Sequence, residues 1–378
     1  MAEIALRGMT WDHARGFDPM VATAEDWARS HPGVTITWEK RSLQAFADRP
    51  IREMADTYDL MVIDHPHVGE VAARGDLLAL DGIGRDDELA KLSAQSVGLS
   101  HPSYIFGGRQ WALAIDAATP VAAFRPDRIA AAPADWDEAK AMAARGLVAF
   151  ALVPINALMT FFGLARNMDY PVAEDPDRLM DREHARHILS ELRAMAALVD
   201  PRCLTLDPVG IYDRMADDPE GPACSPFGYG YTNYSRDGFR RFPLVFADAP
   251  GFGANGPRGT VLGGTGIAVS AFSRHPEAAM AYAFHIAGAA CQKGLYFTSG
   301  GQPANAAAWD DDACNAASRD FFRNTRRTLE TAWLRPRHDG YMALQDRAGE
   351  VVHAFLRGEA TEAETVARLD AAYRETRR

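Results

Sequence analysis

Apolar and polar positions along the first third of the chain predict strands and helices in turn. Alternation or continuous apolar runs favour strands at 3–11, 33–40 and 58–64, and the run at 58–64 is typical of a strand covered on both faces. Apolar residues at helical spacing predict a helix at 18–33, and a shorter helix is expected within 42–56. Strands that alternate with helices predict a parallel α/β sheet with right-handed crossovers.

The same pattern returns later in the chain. Strands are predicted at 109–116, 147–154 and within 259–271, and helices at 134–146, 182–199, 275–297 and from Tyr341 to the end of the chain. A chain of 378 residues is long for one hydrophobic core, so we expect about two domains.

Charge and hydropathy exclude several classes of partner. The formal net charge is −11, which argues against nucleic acid or an anionic membrane as the main partner. No apolar run is long enough to span a bilayer. The opening "MAEIALRGMTW" has Glu3 and Arg7 where an apolar leader would lie, so either a leader was removed or the protein stays in the cytoplasm.

Catalytic and metal-binding motifs are weak in this sequence. The common hydrolase, zinc-protease and nucleotide-binding motifs are missing, so neither a cofactor nor a metal is expected. His13, His65 and His67 follow strands and have metal-ligand chemistry, but loop residues are the commoner explanation. The four cysteines have no metal-type spacing; Cys203 and Cys224 would form a disulfide or stay free. Cys224 is the best candidate nucleophile, although a small buried side chain is favoured for it.

Polar residues collect after the predicted strands. Ligands of open α/β sheets bind beyond the carboxyl ends of the strands. The loops there bring Trp11, Asp12, His13 and Arg15 after the first strand, and Asp64 with His65, Asp116 and Asn156 after later ones. Helix capping is an alternative role for Asp64 and Asp116. Together these carboxylates, amides and rings suit a polar, unphosphorylated ligand such as a sugar.

Aromatic residues crowd the stretch "ACSPFGYGYTNYSRDG" at 223–238. In an extended segment Phe227, Tyr229 and Tyr231 share one face, so they cannot exchange roles with Tyr234. The glycine turn before the last strand, with Gly264 and Thr265, allows a close approach of backbone to a ligand. A buried strand and a ligand-binding wall both account for the aromatic stretch.

Three segments that follow one another along the chain, 58–81, 108–143 and 263–309, closely resemble the family 1 extracellular solute-binding proteins, the carbohydrate-type binding proteins of ABC importers. The resemblance covers nearly the whole chain. It implies two α/β lobes, each a mainly parallel sheet flanked by helices, with the ligand in the cleft between them and closure by hinge bending. It places the N-lobe at 1–115 plus 262–305 and the C-lobe at 116–261 plus 306–378.

The resemblance also implies a function and a set of cleft residues. It implies a monomer that binds a small polar solute reversibly and delivers it to a membrane permease, outside the cytoplasm if a leader was removed. It places the aromatic stretch in the cleft wall, with Gln302 reaching the cleft. The predicted ligand-binding residues are Trp11, Asp12, His13, Arg15, Arg41, Asp64, His65, Asp116, Asn156, Phe227, Tyr229, Tyr231, Tyr234, Gly264, Thr265, Gln302 and Arg335.

Two questions stay open at this point. Acidic residues suit polyols or cations, whereas Arg15, Arg41 and Arg335 would suit a carboxylate or a sulfonate. A cytoplasmic enzyme on the same scaffold, with Cys224 as nucleophile, and a cytoplasmic metabolite sensor are the alternative functions, because fold does not settle function.

Overall fold

A computed structural model describes residues 3–42 and 51–377. The predicted helix at 42–56 falls partly outside these ranges, and its described part is helical at Ile51–Ala55. The described strands are β1 Ile4–Trp11, β2 Val34–Arg41, β3 Leu60–Asp64, β4 Ile105–Phe106, β5 Arg109–Gln110, β6 Leu113–Ala114, β7 Pro120–Phe124, β8 Cys224–Tyr229, β9 Val245–Ala247 and β10 Thr265–Val269.

Helices surround these strands. The described α-helices are α1 Ala14–Ser30, α2 Ile51–Ala55, α3 Val68–Arg74, α4 Asp86–Ala94, α5 Trp136–Ala144, α6 Pro154–Asn167, α7 Arg182–Ala196, α8 Pro208–Asp217, α9 Pro276–Ala287, α10 Ala289–Cys291, α11 Ala306–Trp309, α12 Asp312–Ala317, α13 Phe321–Glu330, α14 Tyr341–Leu356 and α15 Glu362–Thr376. Shorter 3₁₀ turns lie at His65–His67, Pro102–Tyr104, Pro201–Thr205 and Thr232–Ser235, and a π-helical turn lies at Gln292–Tyr296.

The larger sheet has the strand order β2-β1-β3-β10-β6. β1 pairs in parallel with β2 and β3, as the βαβ pattern predicts. β2, at the edge of the sheet, alternates half-buried and exposed positions along 34–37 and buries Trp38, whereas β3 is buried along Leu60–Ile63. β10 comes from a distant part of the chain and pairs antiparallel with β3 and β6. This sheet is therefore mixed, where a mainly parallel one was expected.

The second sheet has the order β8-β7-β9, and both pairs are antiparallel. The segment 147–154, predicted as a strand, is buried at 148–152 but joins this sheet only through a bridge from Val148 to Cys224. Its remaining backbone bonds go elsewhere, for example from the Leu152 amide to the Cys203 carbonyl. Irregular pairing of this kind cannot be inferred from an apolar run.

Two hydrophobic cores hold the chain. One draws its residues from 6–115 and 267–296 and surrounds the larger sheet. The other draws on 117–262 and 297–373, together with Val97. The two-lobe α/β prediction is confirmed, and the residue boundaries proposed above for the N-lobe and the C-lobe stay a prediction.

The long helix predicted at 275–297 is interrupted. α9 ends at Gly288, whose φ of −67° and ψ of 147° are extended. The chain resumes as α10 and the π-helical turn, and the buried Gln292 side chain donates to the Ile286 carbonyl while accepting from the amides of Ala304 and Asn305. A single long helix was predicted because the apolar periodicity continues through Gly288, where the backbone changes direction.

Gly264 lies where the chain passes between the two lobes, and its substitution tests how tightly the backbone packs there. Its φ is +94°, and a Cβ there would collide with the carbonyl oxygen of Asp116. Gly33 has a φ of +95°, and a Cβ added there would meet nothing within 4 Å, so it is a matched control. We expect Gly33→Ala to cost about 1 kcal/mol of unfolding free energy, for the left-handed backbone alone. Gly264→Ala should cost about 3 kcal/mol, because the collision adds to that strain. Urea unfolding measures both, and equal losses would contradict this account of the join.

Candidate functional site

The end of β3 and the start of β10 lie side by side. Because these strands are antiparallel, Thr265 is paired with Asp64. The amides and carbonyls of Thr265 and Asp116 exchange two bonds of 3.0 Å, which brings the next crossing segment to the same place. Asp64, Asp116 and Thr265, each predicted from its position beside a strand, therefore meet where the chain passes between the two cores.

Asp64 presents a carboxylate to this junction. It precedes the 3₁₀ turn at His65–His67 but does not cap it with its side chain. Within residues 3–42 and 51–377 the carboxylate has no hydrogen bond or ion pair. Its pKa is raised to about 6, chiefly by burial; the charge of Arg335 opposes the rise, the Asp116 carboxylate adds to it, and Arg15 opposes it more weakly. The helix-capping alternative for Asp64 therefore lacks the bond that it requires.

Arg335 reaches the same junction from the segment that precedes α14. It is 5% exposed. One guanidinium nitrogen, Nη1, donates to Gln345 Oε1 at 2.6 Å and contacts Met159 Sδ at 3.9 Å. The Nε nitrogen is buried without a partner. Its charge interacts with the hydroxyl groups of Tyr229 and Tyr341 and with the carboxylate of Asp64.

Further polar atoms around this point also lack partners. The Tyr229 hydroxyl, Thr265 Oγ1 and both ring nitrogens of His65 are buried without a hydrogen bond among the described residues. Tyr229 packs against Gly263, and His65 meets the Tyr104 ring edge to face at 6.2 Å. Burial raises the pKa of Tyr229 to about 12 and holds the pKa of His65 well below its ordinary value, so both groups are neutral at pH 7. We call Asp64, His65, Tyr229, Thr265 and Arg335 the junction cluster.

Arg15 and Asp116 are already satisfied by each other. Arg15 Nε donates to Asp116 Oδ2 at 2.7 Å and Nη2 donates to Oδ1 at 2.5 Å, while Nη1 donates to the Gly230 carbonyl at 2.7 Å. The guanidinium also lies 4.6 Å from the centre of the Tyr231 ring. This pair links α1 to the β8 end of the C-lobe and leaves little of either group for a ligand.

Other hydrogen bonds near the Arg15–Asp116 pair also join segments that are far apart in the sequence. Gln302 accepts from the Thr232 amide at 2.9 Å and donates to the Ala117 carbonyl at 2.8 Å. Arg236 donates to the carbonyls of Phe297 and Gly301. Gln302 therefore stabilises the junction, because the oxygen and the nitrogen of its side-chain amide are both hydrogen-bonded.

The His13 ring meets Tyr231 at 5.0 Å and accepts from the Arg15 amide. Burial, together with the charges of Arg15 and Arg240, lowers the pKa of His13 to about 4. His13 is thus a neutral residue of the contact between α1 and the C-lobe.

The aromatic stretch divides between core and junction. The Phe227 ring packs on Gly163 of α6, and Tyr234 is fully buried, its hydroxyl donating to Asp213 at 2.6 Å. Tyr231 covers Arg15, so Tyr229 alone of the four brings an unpartnered hydroxyl to the junction cluster.

The remaining predicted residues are spread around the junction. Trp11 packs over Gly16, and Asp12 lies at the surface in an ion pair with Lys40. Arg41, at the end of β2, contacts Tyr58. Asn156 is buried in the first turn of α6.

Arg335 is surrounded by four residues that were not predicted, Tyr341, Gln345, Tyr104 and Met159. Gln345 carried a weak signal, because it is a polar residue among mainly apolar positions on the buried side of the helix at 341–356. That signal shows burial without showing what the side chain faces.

Metal and covalent chemistry have little support here. Among the described residues, no group of three histidine, cysteine or acidic side chains could hold a metal ion. Cys224 is fully buried in β8, and burial raises the pKa of its thiol to about 12, which keeps it protonated and unreactive at neutral pH. Cys203 and Cys224 are free thiols.

No described helix is both long and apolar enough to pass through a membrane.

Two surface cavities lie away from the junction. One of about 510 Å³ is lined by 131–134, 245–249, Asn324 and Arg327, and one of about 670 Å³ by Arg186, Arg193 and 358–364. Among the described residues, neither lining includes a buried polar side-chain atom without a partner. The junction cluster is therefore the better candidate for a ligand site.

Solved structures with the same architecture bind small solutes. No family model matches this sequence, and no curated protein does so significantly. The maltose-bound MalE3 of T. maritima superposes with a TM-score of 0.84 at 15% identity, covering 98% of this chain and 99% of its own. The chain has the fold of ABC-transporter solute-binding proteins.

Two further structures support this fold. A solute-binding protein of Thermotoga lettingae bound with α-D-tagatose has a TM-score of 0.84 at 14% identity, over 99% of this chain and 100% of its own. One from Agrobacterium radiobacter K84 in complex with ribitol has a TM-score of 0.77 at 20% identity, over 99% of this chain and 98% of its own. At these identities the likeness establishes the binding-protein fold. In that fold a ligand is reached by opening and closing of the lobes about a hinge.

The Arg15–Asp116 pair should be essential to the stability of the join. Arg15→Met leaves the Asp116 carboxylate buried without a counterion, and we expect a loss of about 3–5 kcal/mol in unfolding free energy. Arg7→Met removes the ion pair to Glu39 of 2.6 Å, in which both side chains are about half exposed, and should cost much less. Urea unfolding at pH 7.5 compares the two variants, and a similar loss in both would argue against a structural role for the buried pair.

Proposed function

We propose that this protein is a family 1 solute-binding protein, which binds a small hydroxylated solute between its lobes and delivers it to an ABC-type permease. The observation that carries the proposal is the junction cluster, in which buried polar atoms of both lobes lack protein partners. Buried polar groups in folded proteins are almost always hydrogen-bonded, so several unpartnered ones gathered at one junction are groups that a bound solute would satisfy.

The chemistry of the cluster suits hydroxyl groups. The Asp64 carboxylate accepts hydrogen bonds, the Arg335 guanidinium donates them, and the hydroxyls of Thr265 and Tyr229 can do either. A polyol or sugar presents donors and acceptors on every hydroxyl and can satisfy all four groups. The rings of Tyr229 and Tyr104 would cover its C–H faces.

The position of the cluster supports binding coupled to closure. Asp64 and Thr265 belong to the sheet of the N-lobe, whereas Tyr229 ends a strand of the C-lobe. A solute that bonds groups of both lobes stabilises the closed arrangement, which is the form that a permease would recognise. We propose that the protein acts as a monomer outside the cytoplasm, as this function requires.

The enzyme alternative is not favoured. It depended on Cys224, whose thiol is buried in β8 and protonated at neutral pH. We therefore propose reversible binding without chemistry.

A thermal-shift screen with maltose, D-glucose, α-D-tagatose, ribitol and sugar acids tests the proposal. A ligand present at 100 times its dissociation constant adds about 2.7 kcal/mol of stability. We expect at least one compound to raise the melting temperature and to be recovered unchanged by mass spectrometry. A stabilising compound that is recovered altered, or the absence of any shift, would contradict it.

The Asp64→Asn variant should change ligand-free stability and solute affinity in opposite directions. Because the folded-state pKa of Asp64 lies near 6, above its ordinary 3.8, its buried charge destabilises the ligand-free protein above pH 6 and has no such effect below pH 3.8. We expect the variant to be more stable than the parent at pH 7.5, by at most about 3 kcal/mol, and to bind the solute at least tenfold more weakly. Binding to the parent should weaken as the pH falls through 6, since protonation removes the acceptor.

Asp12→Asn is the matched control for both measurements. Asp12 is a surface carboxylate paired with Lys40, so its substitution should change neither ligand-free stability nor affinity appreciably. If the Asp64 variant binds the solute as tightly as the Asp12 variant, Asp64 does not contact the solute.

A further inference from the structure

Arg335 has a buried charge that the protein leaves unpaired. The described residues include three buried arginines, at 15, 125 and 335. Arg15 pairs with Asp116, and Arg125 donates to Asp127 at 2.6 Å. Arg335 has no carboxylate within ion-pair distance among the described residues, and its bonding partners, Gln345 and Met159, are neutral. A buried charge without a counterion is strongly destabilising, so this arginine requires an explanation.

We propose that the solute carries a carboxylate and that Arg335 binds it. This inference rests on the proposed function and narrows it to a carboxylate-bearing polyol, such as a sugar acid. Nη1 of Arg335 is held by Gln345, which fixes the plane of the guanidinium. The Nε edge, whose nitrogen is buried and unpartnered, is then left to form the two parallel bonds that a carboxylate accepts from arginine.

Asp64 does not replace that carboxylate. Its side chain lies near enough to Arg335 to feel its charge but makes no ion pair with it. Among the described residues Arg335 Nε has no hydrogen-bond acceptor, so the Asp64 carboxylate does not occupy that edge of the guanidinium. Asp64 is therefore available to the hydroxyls of the same solute.

The local charges favour a singly charged group over a phosphate. Arg335 is the one unpaired buried cation of the cluster, and burial keeps His65 neutral. A phosphate dianion would add two negative charges beside Asp64 with one guanidinium to balance them, whereas a carboxylate matches Arg335 one to one.

The test compares sugars that differ only in the carboxylate. D-Glucuronate and D-galacturonate are titrated against D-glucose and D-galactose by calorimetry at pH 7.5. We expect at least one acid to bind 100-fold or more tightly than its neutral partner. Arg335→Gln should remove that preference, and Arg335→Lys, which keeps the charge but loses the planar fork, should retain part of it.

Arg337→Gln is the matched control. This neighbouring arginine donates to the carbonyls of Pro102, Ser103 and Ile105, so its loss should leave the preference for the acid unchanged. The comparison on the parent protein does not depend on whether the variants fold.

The outcomes separate the two proposals. If a neutral sugar binds as tightly as its acid, the carboxylate inference is overturned and the proposed function stands. If Arg335→Gln folds and keeps the preference, Arg335 is not the group responsible and the inference is again overturned. If neither the four sugars nor the wider thermal-shift panel binds, both proposals are overturned.

Discussion

The buried ion pair between Arg15 and Asp116 is the interaction on which the relation of the two lobes depends. Two charges removed from water are stable only when each satisfies the other, and here both carboxylate oxygens face the guanidinium. The remaining nitrogen reaches the Gly230 carbonyl, so the same residue ties α1 to the strand end that carries Tyr229. If the Arg15–Asp116 pair is kept when the lobes separate, the loss of its contact with Gly230 costs little, because water can replace a neutral carbonyl acceptor.

The contrast with Arg335 shows why one arginine is structural and another is a candidate for binding. Both guanidinium groups are buried, and both lie near Asp64. Arg15 has used its donors on a carboxylate, a carbonyl and an aromatic ring, whereas Arg335 is held through one nitrogen by a neutral amide. The first arrangement is complete without a ligand. The second orients a charge and leaves it unsatisfied, which costs stability in the ligand-free protein and is repaid only on binding.

Much of the fold followed from local patterns, and part of the candidate site did too. Asp64 could be predicted, because residues after strands in α/β sheets collect at one edge regardless of how the rest of the chain packs. Thr265 could be predicted from the glycine turn that precedes β10. The direction of β10 could not, since an apolar run has the same pattern whichever way it enters a sheet. Nor could the division of the aromatic stretch be predicted: Phe227 and Tyr229 share a strand face, yet one packs on Gly163 and the other on Gly263. Those two glycines belong to distant parts of the chain.

The identity of the solute that we propose depends on atoms that the fold does not determine. Proteins of this fold are seen with maltose, tagatose and ribitol at nearly the same backbone similarity to this chain, so the backbone does not distinguish among ligands. What distinguishes them is which polar atoms remain unpaired when the lobes are closed, because each unpaired donor or acceptor rejects a ligand that cannot complete it. In this protein the unpaired set combines an acceptor at Asp64, hydroxyls at Tyr229 and Thr265, and a charged donor at Arg335. A wholly neutral sugar could form hydrogen bonds with all four groups, but it would leave the charge of Arg335 buried without a counterion.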